Sequence, residues 1–544
     1  MTAIPSSIAG QIRALLHAAA QPMLGEAAMP DFSVERPRDK AHGDYATNLA
    51  MLLAKPLRQA PRTLAEKLQQ ALVQAPEFTA VEIAGPGFLN LRLTPGIYGT
   101  TLAAHRGWLA EGGSFAPQSG RYLVEFVSAN PTGPLHVGHG RGAVVGDTLV
   151  RMLRRIGYQA TAEYYINDAG LQIDILGRSV LARADQRDGQ SVPFPEDGYK
   201  GDYIVDIARD WTAAGRVGGR DVPAVGRWAG EQIRQGIEAD LRRLGVTFDT
   251  WFSELSLYAD GSVQQCLDDL EARGHTRVED DALWLATTRF GDDKDRVLRR
   301  GNGAYTYFTA DIAYHRNKLG RGYTTLIDLW GADHHGYVPR VRAALDALGI
   351  DRQAVDILLI QFVSLLRDGQ PVSMSTRAGT FETLADLIKA VGADATRFFY
   401  LLRKSDTPLD FDLGLATRQS NENPVYYVQY AHARCCALAR KLGEGLEHAD
   451  PAHWAQSEAA ERELILTLDG WPETLQRATT ERAPHLLVLY LQELATRFHK
   501  FYDQCSIGQA DEPARSARLA LVDWCRAVLA DGLQVVGVSA PDSM

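Results

Sequence analysis

Residues 130–139 constrain the fold of this chain more than any other stretch of the sequence. They follow an apolar run at 122–127 and open a long amphipathic segment, so the pattern predicts a strand, a tight Pro/Gly turn and a helix. Backbone N–H groups at a helix start favour anions, and Gly138 allows a close approach to the backbone. His136 and His139 can donate hydrogen bonds to phosphate oxygens. We therefore predict a phosphate site, although a structural turn with surface histidines is the alternative for the four residues alone.

Length and composition indicate a multidomain globular protein. The 544 residues suggest about two to four domains, with 45% apolar and 23% charged residues. No apolar run is long enough to span a bilayer, and the N-terminus lacks the pattern of a secretory signal. The five cysteines are scattered without a CxxC pair, so we expect no disulfide framework, no structural metal site and a cytoplasmic location. The net charge of −10 argues against a general nucleic-acid coat but allows a local basic face.

The patterns along the chain divide it into four parts. Residues 1–108 mix helical and strand patterns, and a Gly/Pro/Ser-rich linker follows them. Residues 121–360 alternate strands with helices, which predicts a Rossmann-type parallel α/β domain with an insertion at about 180–290. Residues 361–420 form a connecting region that carries a loop, and residues 421–544 are predicted to be an all-α bundle. The clearest strand patterns are at 325–330 and 356–360, and the clearest helix patterns are at 426–442, 459–468, 485–502 and 516–529.

Residues 371–380 form a second candidate phosphate site. They are rich in small residues, so this loop could close over a triphosphate. The Ser375 hydroxyl and the Arg377 guanidinium suit phosphate oxygens. A solvated surface loop is the alternative.

A third group of residues suits a guanidinium ligand. Glu125 lies within the apolar strand before the turn, where a carboxylate needs a partner or a solvated cleft. Tyr307 and Asp311 share a face if a helix begins at Tyr307. Two carboxylates and an aromatic ring in one pocket could bind a guanidinium by bidentate hydrogen bonds and stacking. The alternatives are that Glu125 is a strand-end residue and that Asp311 is a helix-end charge or pairs with Arg316.

The predicted C-terminal bundle interleaves cations with aromatic residues. Such a surface can bind phosphates and stack exposed bases, but the aromatic rings could instead pack the bundle core. The cations are Arg434, Arg440, Lys441, Arg497, His499 and Lys500, and the aromatic residues are Tyr426, Tyr427, Tyr430, Phe498, Phe501 and Tyr502.

Several segments together resemble the arginyl-tRNA synthetases, which are class I aminoacyl-tRNA synthetases. The turn at 136–139 resembles the His-Ile-Gly-His motif of that class, and the loop at 371–380 resembles its Lys-Met-Ser-Lys-Ser loop. The matches run in the family's order from the N-terminal part to the last residue. Along the chain they are GDYATN at 43–48, VEFVSAN at 124–130, DDKDR at 292–296, YFTAD at 307–311, WGADHH at 330–335, NPVYYVQYAH at 423–432 and GVSAPDSM at 537–544.

The resemblance implies an arginine–tRNA ligase that uses ATP and Mg²⁺ and acts on tRNA(Arg). Arginine would be activated as arginyl-adenylate, in a step that depends on bound tRNA, and then transferred to the terminal ribose. The N-terminal part resembles the family's tRNA-elbow module, and the helical part resembles its anticodon-binding module. We expect a monomer without membrane contact and without a dedicated protein site for the metal. The resemblance assigns catalysis to His136 and His139, ATP binding to Gly138, Gly331, Asp333, His334, Met374 and Ser375, and arginine binding to Glu125, Asn130, Tyr307 and Asp311. We add Arg377 to the catalytic candidates because of its charge and position.

The chain departs from the family pattern in its lysines. Ser373 and Thr376 replace the two lysines of the loop, and Gly133 stands where some relatives have a further lysine. Arg377 is the nearest replacement for the missing positive charge, and Arg141 is the next. A small-molecule nucleotidyl transferase would not need the flanking domains, and a non-catalytic tRNA-binding paralogue would be expected to lose His136 or His139.

Overall fold

The structure is a computed structural model that describes residues 4–25, 27–37, 39–110, 112–168, 170–372, 383–443 and 451–544. A parallel sheet lies at its centre, and α+β and helical units pack around that sheet. In the part of the chain so described, no helix combines the length and the apolar character that crossing a membrane would require.

The N-terminal unit packs helices on a four-stranded antiparallel sheet with the order β1-β2-β4-β3. In its first helix, Ile8, Ile12, Leu16 and Ala20 recur every four residues and are fully buried, which is the apolar face of an amphipathic helix. The elements are α1 (Ile8–Leu24), β1 (Val34–Glu35), β2 (Tyr45–Thr47), α2 (Leu49–Leu57), α3 (Pro61–Leu72), β3 (Phe78–Ala84), β4 (Phe88–Leu93) and α4 (Gly96–Ala110).

The central sheet consists of five parallel strands with the order β12-β11-β5-β6-β7. Its strands are β5 (Arg121–Glu125), β6 (Gln159–Ile166), β7 (Thr250–Ser253), β11 (Thr325–Gly331) and β12 (Val355–Ile360). The parallel α/β prediction and the strands at 325–330 and 356–360 are confirmed. Strand β7 lies inside the stretch assigned to an insertion, so that stretch returns once to the central sheet.

The elements around these strands complete the central α/β region. They are α5 (Val137–Arg155), α6 (Leu171–Arg187), α7 (Tyr203–Ala213), α8 (Val222–Arg243), α9 (Glu254–Ala259), α10 (Ser262–Ala272), β8 (Thr276–Glu279), β9 (Ala282–Leu285), β10 (Arg296–Arg299), α11 (Tyr307–Gly320) and α12 (Val338–Ala347). Strands β8, β9 and β10 form a separate antiparallel sheet. Short 3₁₀ helices lie at Lys40–His42, Thr287–Phe290, Ala332–Tyr337 and Arg352–Ala354.

A small sheet and a helical bundle follow. The connecting elements are β13 (Val363–Arg367), β14 (Gln370–Pro371), α13 (Leu384–Val391), α14 (Ala393–Tyr400), β15 (Leu409–Asp412) and α15 (Leu413–Thr417). The bundle comprises α16 (Pro424–Leu442), α17 (Pro451–Trp454), α18 (Ala459–Asp469), α19 (Trp471–Thr480), α20 (His485–Gln504) and α21 (Ala514–Val535). The four predicted helices are confirmed. Helix α19 was missed because Gly470-Trp471-Pro472 has the composition of a turn, whereas here the proline occupies the first helical turn.

Helix α5 connects the central sheet to the bundle through buried charges. The Asp147 carboxylate on α5 accepts a hydrogen bond from Arg397 of α14 at 2.5 Å. Arg397 is fully buried and also donates to the backbone carbonyl of Val536, which follows α21, at 2.9 Å. At the end of α5, Arg155 forms a bidentate pair with Asp531 of α21 at 2.8 and 3.0 Å. The helix that starts at the predicted phosphate turn is therefore fixed to the C-terminal helix.

The N-terminal unit is joined to the bundle at Asp469, the last residue of α18. One carboxylate oxygen of Asp469 accepts the backbone N–H of Ile8 at 2.8 Å, which satisfies an unpaired donor at the start of α1. The other oxygen is 3.0 Å from His105 Nε2 on α4. Nearby, Arg36 and Glu463 form an ion pair at 2.5 Å.

Candidate active site

The predicted phosphate turn joins β5 to α5. Helix α5 begins at Val137, and His136 is its N-cap residue. His136 Nδ1 accepts the backbone N–H groups of Gly138 at 3.1 Å and of His139 at 3.4 Å, while His139 Nδ1 accepts the N–H of His136 at 3.3 Å. The two imidazoles thus cap the helix reciprocally, and their ring centroids are 3.6 Å apart. The predicted strand, turn and helix are confirmed.

This reciprocal cap fixes the tautomer of both imidazoles. Because each Nδ1 accepts a backbone N–H, a neutral ring must carry its hydrogen on Nε2. Burial lowers the pKa of His136, and burial together with the neighbouring His136 lowers the pKa of His139 to about 4. Both rings are therefore uncharged at neutral pH. No hydrogen bond from either Nε2 to another described residue is present, so both Nε2–H groups remain available to a ligand oxygen.

Two glycines allow the side chains of this region to lie close to the backbone. A Cβ atom at Gly138 would be only 3.0 Å from the His136 ring, which packs back over the helix start. A Cβ atom at Gly331 would be 2.4 Å from Asp333 Oδ1. A larger residue would therefore displace a predicted catalytic side chain at Gly138 and a predicted ATP-binding side chain at Gly331.

The other predicted ATP-binding residues follow β11, the strand next to β5. Asp333 and His334 lie in the 3₁₀ helix Ala332–Tyr337, and His334 Nε2 is 3.7 Å from Asp333 Oδ2. The Asp333 carboxylate is exposed, and its charge acts against burial to raise the pKa of His136 and of His139. The structure therefore brings Asp333 electrostatically close to the imidazole pair, at the carboxyl edge of the sheet.

A cavity of about 640 Å³ opens at the same edge. The predicted site residues among its lining are Glu125, Tyr307, Asp311, Gly331 and His334. Asn130, His136, Gly138, His139 and Asp333 are not among the lining residues, although they lie in the adjoining turns. The structure thus brings the two predicted carboxylates together with the aromatic ring, which the sequence alone could not show.

Asp311 lies on the first turns of α11, facing this cavity. The helix begins at Tyr307, as the spacing required, and the exposed Tyr307 ring lies on the cavity wall. The Asp311 carboxylate accepts a hydrogen bond from the Tyr337 hydroxyl, and burial raises its pKa. Arg316 binds Asp269 at 2.6 Å, so the alternative pairing of Asp311 with Arg316 is wrong.

Glu125 is buried at the end of β5 and has two partners. Its Oε2 lies 2.5 Å from Lys318 Nζ on α11, and its Oε1 accepts the Ser128 hydroxyl at 2.9 Å. Burial raises the pKa of Glu125, and the Lys318 ammonium opposes that shift. The carboxylate is therefore held in one orientation at the cavity wall.

The backbone after Glu125 is strained. Val127 and Ser128 have φ angles of 69° and 41°, which is rare for a β-branched residue and costs on the order of 1–3 kcal/mol. The sharp turn returns the Ser128 hydroxyl to Glu125, and the same oxygen accepts the backbone N–H of Tyr165 at 3.2 Å. Both strained residues line the cavity, which places the distortion at the site.

Glu254 is a third acidic residue of this region that sequence reasoning missed. It is the first residue of α9, is only 3% exposed, and accepts the Tyr258 hydroxyl at 3.2 Å. Burial raises its pKa, and the nearby Asp311 charge contributes to the shift. A smaller cavity of about 400 Å³ runs beside Glu254 and shares Tyr307 with the larger one. A carboxylate directly after a short strand was the available signal, but it lay inside the predicted insertion.

The structure excludes one candidate for the missing positive charge. Arg141 has no exposed surface, and its guanidinium donates to the backbone carbonyls of Gln361, Lys404 and Thr407 at 2.8–2.9 Å. It stabilises the connecting region and cannot reach a phosphate, so the expectation for Arg141 is wrong. The other loop candidates, Met374, Ser375 and Arg377, lie outside the described residues.

The helical bundle shows both outcomes for its aromatic residues. Phe498 and Phe501 are fully buried and pack the core, as the alternative held. Arg434 instead lies over the rings of Tyr430 and Tyr502, at 4.8 and 4.3 Å from their centroids. Tyr502 is exposed, so this cluster presents a cation with aromatic faces at the bundle surface.

Three known families match successive parts of the chain. The family described as "tRNA synthetases class I (R), catalytic domain" matches residues 109–399. "Arginyl tRNA synthetase N terminal domain" matches residues 7–93, and "DALR anticodon binding domain" matches residues 428–544. Together with the parallel sheet and the imidazole pair, these matches define a class I aminoacyl-tRNA synthetase.

Full-length relatives narrow the assignment. An arginine–tRNA ligase of Oleidesulfovibrio alaskensis is 47% identical over 95% of this chain and 97% of the relative. An arginine–tRNA ligase of Halorhodospira halophila is 45% identical over 99% of both chains. The chain belongs to the arginyl-tRNA synthetase family. The structure of the Thermus thermophilus arginyl-tRNA synthetase shares the fold, with a TM-score of 0.77, 24% identity, and coverage of 99% of this chain and 100% of that chain.

Proposed function

We propose that this protein is an arginine–tRNA ligase. It activates L-arginine with ATP, forming arginyl-adenylate and pyrophosphate, and then transfers the arginyl group to the 3′-terminal ribose of tRNA(Arg), at the 2′-hydroxyl as the class implies. The observation that carries this proposal is the cavity that joins Glu125 and Asp311 beside a helix start capped by two imidazoles. That arrangement offers one place for a guanidinium and an adjoining place for a triphosphate.

The guanidinium fits the acidic end of the cavity. Asp311 has a neutral hydroxyl, that of Tyr337, as its hydrogen-bond partner, so its charge remains to be balanced by a ligand. Glu254 lies close enough to Asp311 to influence its charge and would extend the site, while the Tyr307 ring would stack on the planar ligand. Asn130, in the turn after β5, would contact the amino-acid end of arginine.

The ATP would lie between the two turns at the carboxyl edge of the sheet. The arginine carboxylate attacks the α-phosphorus, and the bond to pyrophosphate breaks. The Nε2–H groups of His136 and His139 would donate to phosphate oxygens as negative charge develops there. Gly138 admits the phosphates to the helix start, and Gly331, Asp333 and His334 would contact the nucleoside.

The remaining contacts to ATP would come from residues of the segment 371–380 and from Mg²⁺. Met374 and Ser375 would contact ATP, and Arg377 would balance the charge of the leaving pyrophosphate. Mg²⁺ would be bound mainly by triphosphate oxygens and water, with the exposed carboxylate of Asp333 as a nearby protein oxygen donor. The protein therefore contributes positioning and hydrogen bonds rather than a preformed metal cage.

The tRNA would contact the N-terminal unit and the bundle as well as the candidate active site. The N-terminal unit would bind the elbow, and the bundle would bind the anticodon, with Arg434, Tyr430 and Tyr502 as a stacking and phosphate-binding surface. We expect the protein to act as a monomer, which sedimentation at working concentration would test.

The decisive experiment is aminoacylation of total tRNA with each amino acid in turn. We expect arginine alone to be attached, and we expect the product to be tRNA(Arg). Attachment of another amino acid, or none, by a folded protein would refute the proposal.

A further inference from the structure

Three buried carboxylates stand side by side on the central sheet. In the strand register, Asp328 of β11 is paired with Glu125 of β5, and Glu125 is paired with Glu163 of β6. Asp328 and Glu163 have no exposed surface, and Glu125 is 8% exposed. Paired residues on neighbouring strands point to the same face, so three like charges meet in a place with little water. Three buried negative charges so close together need neighbouring cations to neutralise them.

Helix α11 and the residue that follows it supply two cations on one face. Lys318 has no exposed surface, and its Nζ lies 2.5 Å from Glu125 and 2.7 Å from Asp328. Arg321, three residues later, binds both oxygens of Glu163 at 2.6 and 2.7 Å. Each cation therefore neutralises its own part of the row.

The two pairs differ in their relation to the cavity. Glu125 lines it, whereas Glu163, Lys318, Arg321 and Asp328 do not. Lys318 thus approaches Glu125 from the protein interior and would not touch a ligand. Its influence on a ligand must pass through Glu125.

The contacts of Lys318 continue to the second carboxylate of the cavity. Asp328 Oδ2 accepts His315 Nε2 at 2.8 Å, and His315 Nδ1 donates to the backbone carbonyl of Asp311 at 2.7 Å. Both ring nitrogens face acceptors, so both carry hydrogen and the ring is a cation. An unbroken series of buried contacts therefore runs from Glu125 through Lys318, Asp328 and His315 to Asp311.

We propose that Lys318 is a positioning residue of the arginine site, which fixes Glu125 relative to Asp311 and balances the charge of Glu125 before the ligand arrives. This inference rests on the proposed arginine site. According to this inference, the two cavity carboxylates, Glu125 and Asp311, have different roles in binding arginine. Lys318 keeps Glu125 ionised and in one orientation, so Glu125 contributes a fixed charged hydrogen-bond acceptor. Asp311, whose hydrogen-bond partner is a neutral hydroxyl, contributes the charge that is not already balanced.

The test compares Lys318→Met with Arg321→Met. Each variant breaks an ion pair between the α11 region and a buried carboxylate of the sheet. The partner of Lys318, Glu125, lines the cavity, whereas the partner of Arg321, Glu163, does not. We expect both to lower the melting temperature. We expect Lys318→Met alone to raise the KM for arginine, by roughly 10- to 100-fold as for loss of a charged hydrogen bond, with the KM for ATP nearly unchanged.

A pH series adds a readout that a loss of stability would not move. Without the ammonium, the buried Glu125 carboxyl would bind a proton more readily, so its pKa would rise. We expect the KM for arginine of Lys318→Met to fall more steeply with rising pH than the KM of the wild type. Arg321→Met should keep the wild-type profile.

Glu125→Gln, alone and combined with Lys318→Met, distinguishes the inference from the function on which it rests. If Lys318 acts through Glu125, adding Lys318→Met to Glu125→Gln should raise the KM for arginine little further. If Glu125→Gln raises that KM but Lys318→Met does not, the arginine site stands and the positioning role is refuted. If Glu125→Gln does not change the KM for arginine, both the proposed arginine site and the positioning role of Lys318 are refuted. Should Lys318→Met fail to fold, Lys318→Gln, which keeps a neutral donor, decides by the same criteria.

Discussion

At the scale of single residues, the site depends on which groups carry charge before substrates bind. The imidazoles of His136 and His139 are neutral and direct one N–H each toward a ligand, because their Nδ1 atoms cap α5. Asp311 is ionisable and half-buried, with a tyrosine hydroxyl as its partner. The two neutral imidazoles suit an anion whose negative charge increases during the reaction, and the Asp311 carboxylate suits a ligand with a permanent positive charge.

Replacement of His136 or His139 by alanine should impair arginine activation. Each change removes one Nε2–H donor and half of the helix cap, and loss of one such donor typically costs roughly 10²–10³ in rate. ATP–pyrophosphate exchange, measured with tRNA present, checks this. Binding of tRNA should be nearly unchanged, and a wild-type exchange rate in either variant would contradict the assignment.

Replacement of Asp311 by asparagine should weaken arginine far more than ATP. The amide keeps the shape but loses the charge, so the KM for arginine should rise by roughly 10- to 100-fold. The wild type should reject lysine, because a point charge cannot fill a site shaped for a planar fork. Equal increases in the KM values for arginine and ATP would indicate a structural role instead.

The pKa of Asp311 gives this site a pH dependence. Burial raises that pKa, so part of the carboxyl in the empty site is protonated at a pH where an exposed aspartate is fully ionised. The guanidinium of arginine stays charged throughout. Arginine should therefore bind more tightly as pH rises through the raised pKa, and calorimetric titration should show a weaker dependence in Asp311→Asn. An identical pH profile for both proteins would assign the dependence to another group.

At the scale of elements, the sequence predicted the strand–turn–helix of β5 and α5. A helix start at Tyr307 was the condition for Tyr307 and Asp311 to share a face, and α11 meets it. These follow from local signals: an apolar run, a Pro/Gly turn and helical spacing. Strand β7 and Glu254 were not predicted, because a four-residue strand within a charged stretch has no pattern of its own. The meeting of Lys318 with Glu125, 193 residues apart, depends on strand order and register, which local patterns do not encode.

The segment at 371–380 carries the expectation for Arg377. With Ser373 and Thr376 in place of lysines, Arg377 is the residue of this segment that could place a permanent charge beside the leaving pyrophosphate. Arg377→Ala should strongly slow single-turnover adenylate formation, whereas Thr376→Lys should be tolerated or faster. Arg367→Ala, on the neighbouring strand β13, is the matched control. An unchanged Arg377→Ala rate at saturating ATP would leave the charge to Mg²⁺ and the helix start.

At the scale of the whole molecule, α5 runs from the phosphate turn to the bundle. Its first residues carry the predicted phosphate site, and its last residue, Arg155, binds Asp531 of α21. A tRNA bound to the bundle could therefore bias the position of the turn, provided that it stabilises the active arrangement more than the resting one.

We accordingly expect ATP–pyrophosphate exchange to require tRNA(Arg), as family membership implies. The measurement uses enzyme freed of tRNA by nuclease, with and without added tRNA(Arg). Arg155→Met should reduce the stimulation, and the control Arg154→Met, which breaks a pair with Asp249 inside the catalytic region, should not. Full exchange activity in the absence of tRNA would refute this expectation.

The hydrogen bond from Ile8 to Asp469 also has a consequence for synthesis of the chain on the ribosome. The two partners are 461 residues apart. The hydrogen bond from the Ile8 N–H at the start of α1 therefore cannot form until Asp469 has been translated. At about 5–20 residues per second, that interval is roughly 20–90 s. During this time the N-terminal unit emerges with one face still uncovered, which makes it a natural client for chaperones that bind nascent chains.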